Sequence, residues 1–131
     1  MQFSALTPSL LVDDIHETVE YYQTHFGFET LQALPNASEA MECALMKRNS
    51  VVLMFQCKAN LKSKLANRVS STTGAGISLM IEVDDAGELF DSVLDKVELV
   101  TELEESTAGG LEFSVLDPNG YLITFTETQE R

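Results

Sequence analysis

Two stretches of this 131-residue chain repeat each other, and that repeat limits the folds open to it. Val12-Asp13-Asp14 recurs 71 residues later as Val83-Asp84-Asp85, and Glu17 recurs as Glu88 at the same offset. Asn49 recurs as Asn119 and Phe55 as Phe125, both 70 residues on. Order is kept across two distant segments with one residue of slippage. Self-similarity of this kind marks one supersecondary unit used twice.

The first copy reads as βαβββ. Phe3 to Val12 is a strand, with Pro8 at a position that an edge or a strand start tolerates. Asp13 and Asp14 offer a helix N-cap and first-turn charge. Ile15, Val19, Tyr22 and Phe26 recur at helical spacing, and Gly27 supplies a stop. Phe28–Leu34, Glu39–Lys47 and Val51–Cys57 follow as strands, separated by turn signals at Pro35-Asn36 and Arg48-Asn49-Ser50.

The second copy begins with a strand over Ile77–Val83. Asp84-Asp85 caps a helix whose buried stripe is Leu89, Val93 and Val97. Glu98 to Glu104 reads as an acidic edge strand, and Leu111 to Glu127 as a hairpin around Asp117-Pro118-Asn119-Gly120. Length allows one domain, so the expected organisation is a single α+β domain: module 1 over 1–57, a linker over 58–76, and module 2 over 77–131. The linker holds Lys58, Lys62, Lys64 and Arg68, four of the eight basic residues.

Alternation along the strands separates two sheet faces. With the apolar sets placed under the helices, the opposite face carries Thr7, Ser9 and Leu11; Val52, Met54 and Gln56; Ser78, Met80 and Glu82; Glu112 and Ser114; and Leu122, Thr124 and Thr126. Apolar bodies, hydroxyls, one amide and two carboxylates make a lining suited to an organic ligand held by a few oriented polar groups. The candidate ligand-binding residues are therefore Thr7, Ser9, Met54, Gln56, Ser78, Met80, Glu82, Glu112 and Thr124. No catalytic pair stands out.

Charge sharpens the choice of partner. Residues 1–70 hold 6 Lys/Arg against 7 Asp/Glu, a net −1, whereas residues 71–131 hold 2 against 14, a net −12. An acidic chain repels nucleic acid and anionic membrane surfaces and favours a cationic ligand. No apolar run reaches the roughly 20 residues of a membrane span. The N-terminus, with Pro8 and Asp13 and no basic start, does not read as a signal peptide, so a cytoplasmic location is expected. Cys43 and Cys57 have no metal-site spacing and read as two free thiols, while His16 and His25 read as helix-surface residues.

The chain resembles the vicinal oxygen chelate superfamily, the glyoxalase/bleomycin-resistance/dioxygenase fold. In the first half the resemblance rests on Pro8-Ser-Leu-Leu-Val-Asp-Asp-Ile15, Val19-Glu-Tyr-Tyr22 and His25-Phe-Gly-Phe28. In the second it rests on Ile81-Glu-Val-Asp-Asp85 and Glu112-Phe-Ser-Val-Leu-Asp-Pro-Asn-Gly120. The resemblance implies curled mixed sheets that pair as a cup with helices outside, and a homodimer. In the family's enzymes it also implies one divalent metal held by His, Gln or Glu from the first and last strands of each half.

Carried over by the repeat, those metal positions fall on Thr7, Met54, Ser78 and Thr124. None is an imidazole or carboxylate, the donors a divalent ion prefers in such sites. The resemblance is therefore nearest in character to the metal-free bleomycin-resistance group. The expectation is a cytoplasmic, cofactor-free protein that binds and sequesters a small molecule, a cationic drug such as bleomycin being favoured by the acidic half, with antibiotic resistance as the biological role. The alternative is a glyoxalase- or dioxygenase-like enzyme with a non-standard or lost metal site. With no tryptophan, the chain offers no obvious stacking platform for a flat heteroaromatic ring.

Overall fold

A computed structural model describes residues 1–35, 41–58 and 76–127. It divides into two compact units, 1–73 and 74–131, each with its own sheet. The first runs β1 (Ser9–Val12), α1 (Ile15–Phe26), β2 (Glu29–Pro35), β3 (Met41–Arg48) and β4 (Val51–Cys57). The second runs β5 (Ser78–Val83), α2 (Ala86–Val93), β6 (Glu98–Glu105), β7 (Leu111–Leu116) and β8 (Leu122–Glu127). Both sheets have the same topology, β1-β4-β3-β2 and β5-β8-β7-β6, with one parallel pair and two antiparallel pairs. The class is α+β, and the βαβββ duplication read from the sequence is present.

The second aspartate and the phenylalanine of the repeat do the same work in both units. Asp14 caps α1 by accepting from the Glu17 N–H at 3.1 Å, and Asp85 caps α2 by accepting from the Glu88 N–H at 2.9 Å. Phe55 and Phe125 are both buried, against Tyr22 in one unit and Phe113 in the other. A cap and a core anchor at fixed offsets fix where each helix starts and which sheet face it covers.

In the first unit α1 lies on β3 and β4. Its buried stripe is Ile15, Thr18, Tyr22 and Phe26, so Thr18 stands where Val19 was expected. Thr18 is tolerated there because its hydroxyl donates to the Asp14 carbonyl at 2.8 Å, leaving no orphaned polar group. Gly27 ends the helix at φ 67°, and the Gly27 and Phe28 N–H groups close onto the Gln23 and Tyr22 carbonyls. The Arg48 guanidinium donates to the Phe26 carbonyl at 2.7 Å and completes the cap.

The opening strand is shorter than the sequence suggests: it begins at Ser9, not Phe3. Pro8 explains the loss. Its carbonyl accepts the Met54 N–H at 2.9 Å, but it has no N–H for the next rung of the parallel ladder, towards Val52. Residues 1–7 are all exposed, Phe3 and Leu6 among them. Of the other first-unit expectations, the start of the strand over Glu39–Lys47 and the Pro35-Asn36 turn fall partly among residues 36–40, outside those described.

In the second unit α2 packs on β6, β7 and β8. Ala86 and Val93 are buried and Leu89 is half-buried, but the helix stops at Val93, so Val97 is not part of its stripe. The chain turns there with Asp95 at φ 69°, and Leu94 N–H bonds back to the Phe90 carbonyl. Phe90, absent from the predicted stripe, packs edge-on against Phe113 at 5.3 Å between ring centres. Glu127 closes the unit: one carboxylate oxygen accepts from the Ala86 N–H and the other from the Leu111 N–H. That joins the end of β8 to the start of α2 and the start of β7. The linker over 58–76 lies almost wholly outside the described residues.

Candidate functional site

Each sheet has one face under its helix and one that is not. The covered sets are apolar: Leu10, Val12, Leu53 and Phe55 in the first unit, Phe113, Val115, Ile123 and Phe125 in the second, all buried. Their strand neighbours form the open faces, so the face assignment made from alternation holds on β1, β4, β7 and β8.

On the second sheet the register sets the open face in rows. Met80 lies beside Thr124, Thr124 beside Ser114, and Ser114 beside Thr101. This is a hydroxyl row. Ser114 and Thr124 share a hydrogen bond of 2.7 Å between their hydroxyls, and the Thr101 hydroxyl accepts from the Ser114 N–H at 3.0 Å. The adjacent row is Glu82, Thr126, Glu112 and Glu104, three carboxylates around one hydroxyl. Ser114 is buried, Thr124 and Glu112 are half-buried, and Met80 is 72% exposed, so the row deepens from a thioether at the sheet edge towards its centre. Ser78 is exposed and lies beside Leu122, one row away from Thr124.

Position and shape of this face come from the turn behind it. Asp117 is buried, and its carboxylate accepts from both the Asn119 and Tyr121 N–H groups at 2.9 Å. The Asp117 carbonyl accepts from Gly120, which sits at φ 83°, and the Asp117 N–H donates to the Tyr121 carbonyl. A glycine is suited to that left-handed backbone, and an aspartate can satisfy two turn amides at once. The Asp-Pro-Asn-Gly segment thereby fixes which residue of β8 faces which residue of β7.

On the first sheet, Ser9 lies beside Met54 and Leu11 beside Gln56. The Gln56 amide approaches the Met54 sulfur at 3.8 Å, a weak contact between two half-buried side chains. From β3 the same face receives Leu45, opposite Met54, and Cys43, opposite Gln56. The predicted residues Ser9, Met54 and Gln56 are thus neighbours. Thr7 is not with them: it precedes β1 and is exposed, which corrects its placement on a strand.

Strand alternation does not bring Thr101 to this face, and it brings Ser114 there although Ser114 is not among the candidate binding residues. Thr101 follows a bulge, two residues of β6 (Leu99 to Thr101) standing against one step of β7, and strict alternation cannot anticipate such a shift. Cys43 was visible in the sequence only as a thiol. Both cysteines are free. Cys43 opposes Gln56 while Cys57 is the next residue along, so their side chains leave opposite faces of the sheet and cannot join in a disulfide.

A divalent metal does not fit the donors at the four carried-over positions. The four carried-over positions are a thioether and three neutral hydroxyls, with Thr124 already bonded to Ser114 and Thr7 outside its strand. Among the described residues no group of three or more His, Cys, Asp or Glu side chains could hold a metal. His16 is exposed and His25 packs edge-on against Tyr21 at 5.2 Å, both on α1, which covers the other face of the first sheet.

A duplicated βαβββ chain in which each sheet has one face under its own helix defines a glyoxalase-type architecture. The chain belongs to the Glyoxalase/Bleomycin resistance protein/Dioxygenase superfamily, whose model matches residues 4–125. No curated protein matches the sequence. Among solved structures, TioX from Micromonospora sp. ML1 is similar at a TM-score of 0.77 and 22% identity, over 97% of this chain and 100% of that one. The bleomycin-binding protein of Streptomyces verticillus, solved with copper(II)-bleomycin, is similar at 0.68 and 22%, over 98% and 99%. Lactoylglutathione lyase from Agrobacterium tumefaciens is similar at 0.72 and 17%, over 97% and 95%. At these identities the likeness is one of fold, and the fold serves both binding proteins and enzymes.

Proposed function

We propose that this protein binds and sequesters a small organic molecule on its open sheet faces without a metal, in the manner of the bleomycin-binding branch of the superfamily, with antibiotic resistance as its role. One observation carries the reading. At the centre of the second sheet, where the family's enzymes would carry a carboxylate, Thr124 stands with its hydroxyl bonded to Ser114. A neutral hydroxyl so placed binds and orients; it does not hold a divalent ion.

The surrounding charge supports a neutral or cationic ligand over an anionic one. Glu82, Glu112 and Glu104 occupy the row beside the hydroxyls, and Lys96 is the only basic residue of the second unit among those described. A glutathione-type substrate, rich in carboxylates, would meet repulsion there.

A thermal-shift screen tests the proposal. A ligand at 100 times its Kd adds about 2.7 kcal/mol to stability, an easily seen rise in Tm. Cationic or neutral drug-like compounds are expected to raise Tm, and Zn²⁺, Ni²⁺, Mn²⁺ or Fe²⁺ to leave it unchanged. A strong rise with one of those metals that Thr124→Val removes would sink the metal-free reading.

We propose further that the protein is cytoplasmic and acts as a homodimer, the assembly that the family resemblance implies. Light scattering at tens of micromolar protein should return twice the 14.4 kDa chain mass. A mass of one chain would overturn it. In the described residues no helix is long and apolar enough to cross a membrane.

A further inference from the structure

The hydroxyl row of the second sheet has a proton count that specifies what it can accept. Thr101, Ser114 and Thr124 carry three hydroxyl protons. One lies in the Ser114–Thr124 bond, whichever of the two donates. Thr101 uses its oxygen to accept from the Ser114 N–H, which leaves its own proton unspent. Two protons therefore have no acceptor among the described residues. Ser114 is only 8% exposed and Thr124 is half-buried, so the economical arrangement has Ser114 donating to Thr124 and Thr124 donating outward. The face then presents two hydroxyl donors, those of Thr124 and Thr101, one strand to either side of Ser114.

Two donors call for an acceptor oxygen on the ligand, and the neighbouring row decides its charge. Glu82, Glu112 and Glu104 lie one residue pair further along the same strands. Carboxylate, phosphate and sulfate oxygens would be driven off by three like charges, whereas a neutral carbonyl or amide oxygen would not. Resting on the binding role proposed above, we infer that the second sheet by itself recognises a neutral carbonyl or amide oxygen, with Thr124 as the principal donor, and that the carboxylate row excludes anions. The ligand class that follows is an uncharged or cationic amide- or ketone-bearing compound, not an organic acid.

Three fragments of matched size test this: N-methylbenzamide, benzyltrimethylammonium and benzoate, each titrated at millimolar concentration into the full-length protein and followed by backbone amide chemical shifts. N-methylbenzamide is expected to shift the Thr101, Ser114 and Thr124 amides with an affinity at least about tenfold above that of benzoate, the size of one neutral hydrogen bond with added charge repulsion. Thr124→Val keeps the shape and removes the outward donor together with the acceptor of the Ser114 hydroxyl, and should weaken N-methylbenzamide about tenfold, more than it weakens benzyltrimethylammonium. Equal binding of benzoate, or full binding of the amide to the Thr124→Val protein, overturns the inference. If none of the fragments moves these amides but a drug-like compound does, carbonyl recognition is wrong and the binding face stands. If stabilising compounds shift only residues elsewhere, the binding face itself is wrong.

Discussion

Phe113→Ala is expected to destabilise the protein by about 4 kcal/mol, the magnitude seen when a fully buried aromatic ring is cut back to a methyl group. Phe113 has no exposed surface. It stacks on Phe125 of the neighbouring strand at 5.2 Å and meets Phe90 of α2 edge-on at 5.3 Å, so it joins both layers of the second unit. Removing it leaves a cavity that two strands and a helix border at once, and such a site collapses poorly. Leu111, two residues earlier and 38% exposed, serves as the control, with a cost within about 0.5 kcal/mol expected for Leu111→Ala. Urea denaturation of the two variants measures the difference. Equal midpoints would mean that the Phe113 ring is not the tie between sheet and helix.

The second large effect concerns the turn. Asp117→Ala should cost about 2–3 kcal/mol, because two amides that its carboxylate satisfies are left without a partner in a buried turn. Both bonds, from Asn119 and from Tyr121, go to the same carboxylate oxygen. Asp117→Asn keeps an oxygen there, so it should retain most of the stability and lose about 1 kcal/mol, the difference between a charged and a neutral acceptor. The functional consequence follows from register. Asp117 holds the geometry that places Thr124 opposite Ser114, and in Asp117→Ala the amide resonances of both should move although both lie within the strands and not in the turn. An Asp117→Ala protein as stable as the parent, with those resonances in place, would show that Pro118 and Gly120 specify the turn without the carboxylate.

Much of the candidate site was legible in the sequence because its strands alternate. Ile123 and Phe125 are buried while Leu122, Thr124 and Thr126 are not, as a period of two dictates. The same rule placed Met54 and Gln56 on one face and Leu53 and Phe55 on the other. What escaped it shares a cause: each depends on a neighbour distant in sequence. Thr101 reaches the hydroxyl row through a bulge in β6. Thr18 is buried because a carbonyl one helical turn away accepts its proton. Thr7 falls off its strand because Pro8 has no N–H to give to β4.

The sequence by itself determined the duplication, the α+β class, both helix caps and the sheet face each helix covers. Those follow from local chemistry: an aspartate before a helical stripe, glycine or asparagine at a turn, and alternation along a strand. The resemblance to the family further implied that hydroxyls and a thioether take the positions of its enzymes' metal ligands. Only the tertiary structure decided which of those polar groups touch. Met80, not Ser78, is the strand neighbour of Thr124, and Ser9, not Thr7, that of Met54. The hydroxyl pair of Ser114 and Thr124, and the carboxylate row beside it, exist because three strands from different parts of the chain are held in one register. Register is a property of paired strands, set by the Asp117 turn and by the Phe113 and Phe125 rings beneath the sheet, and no single strand carries it.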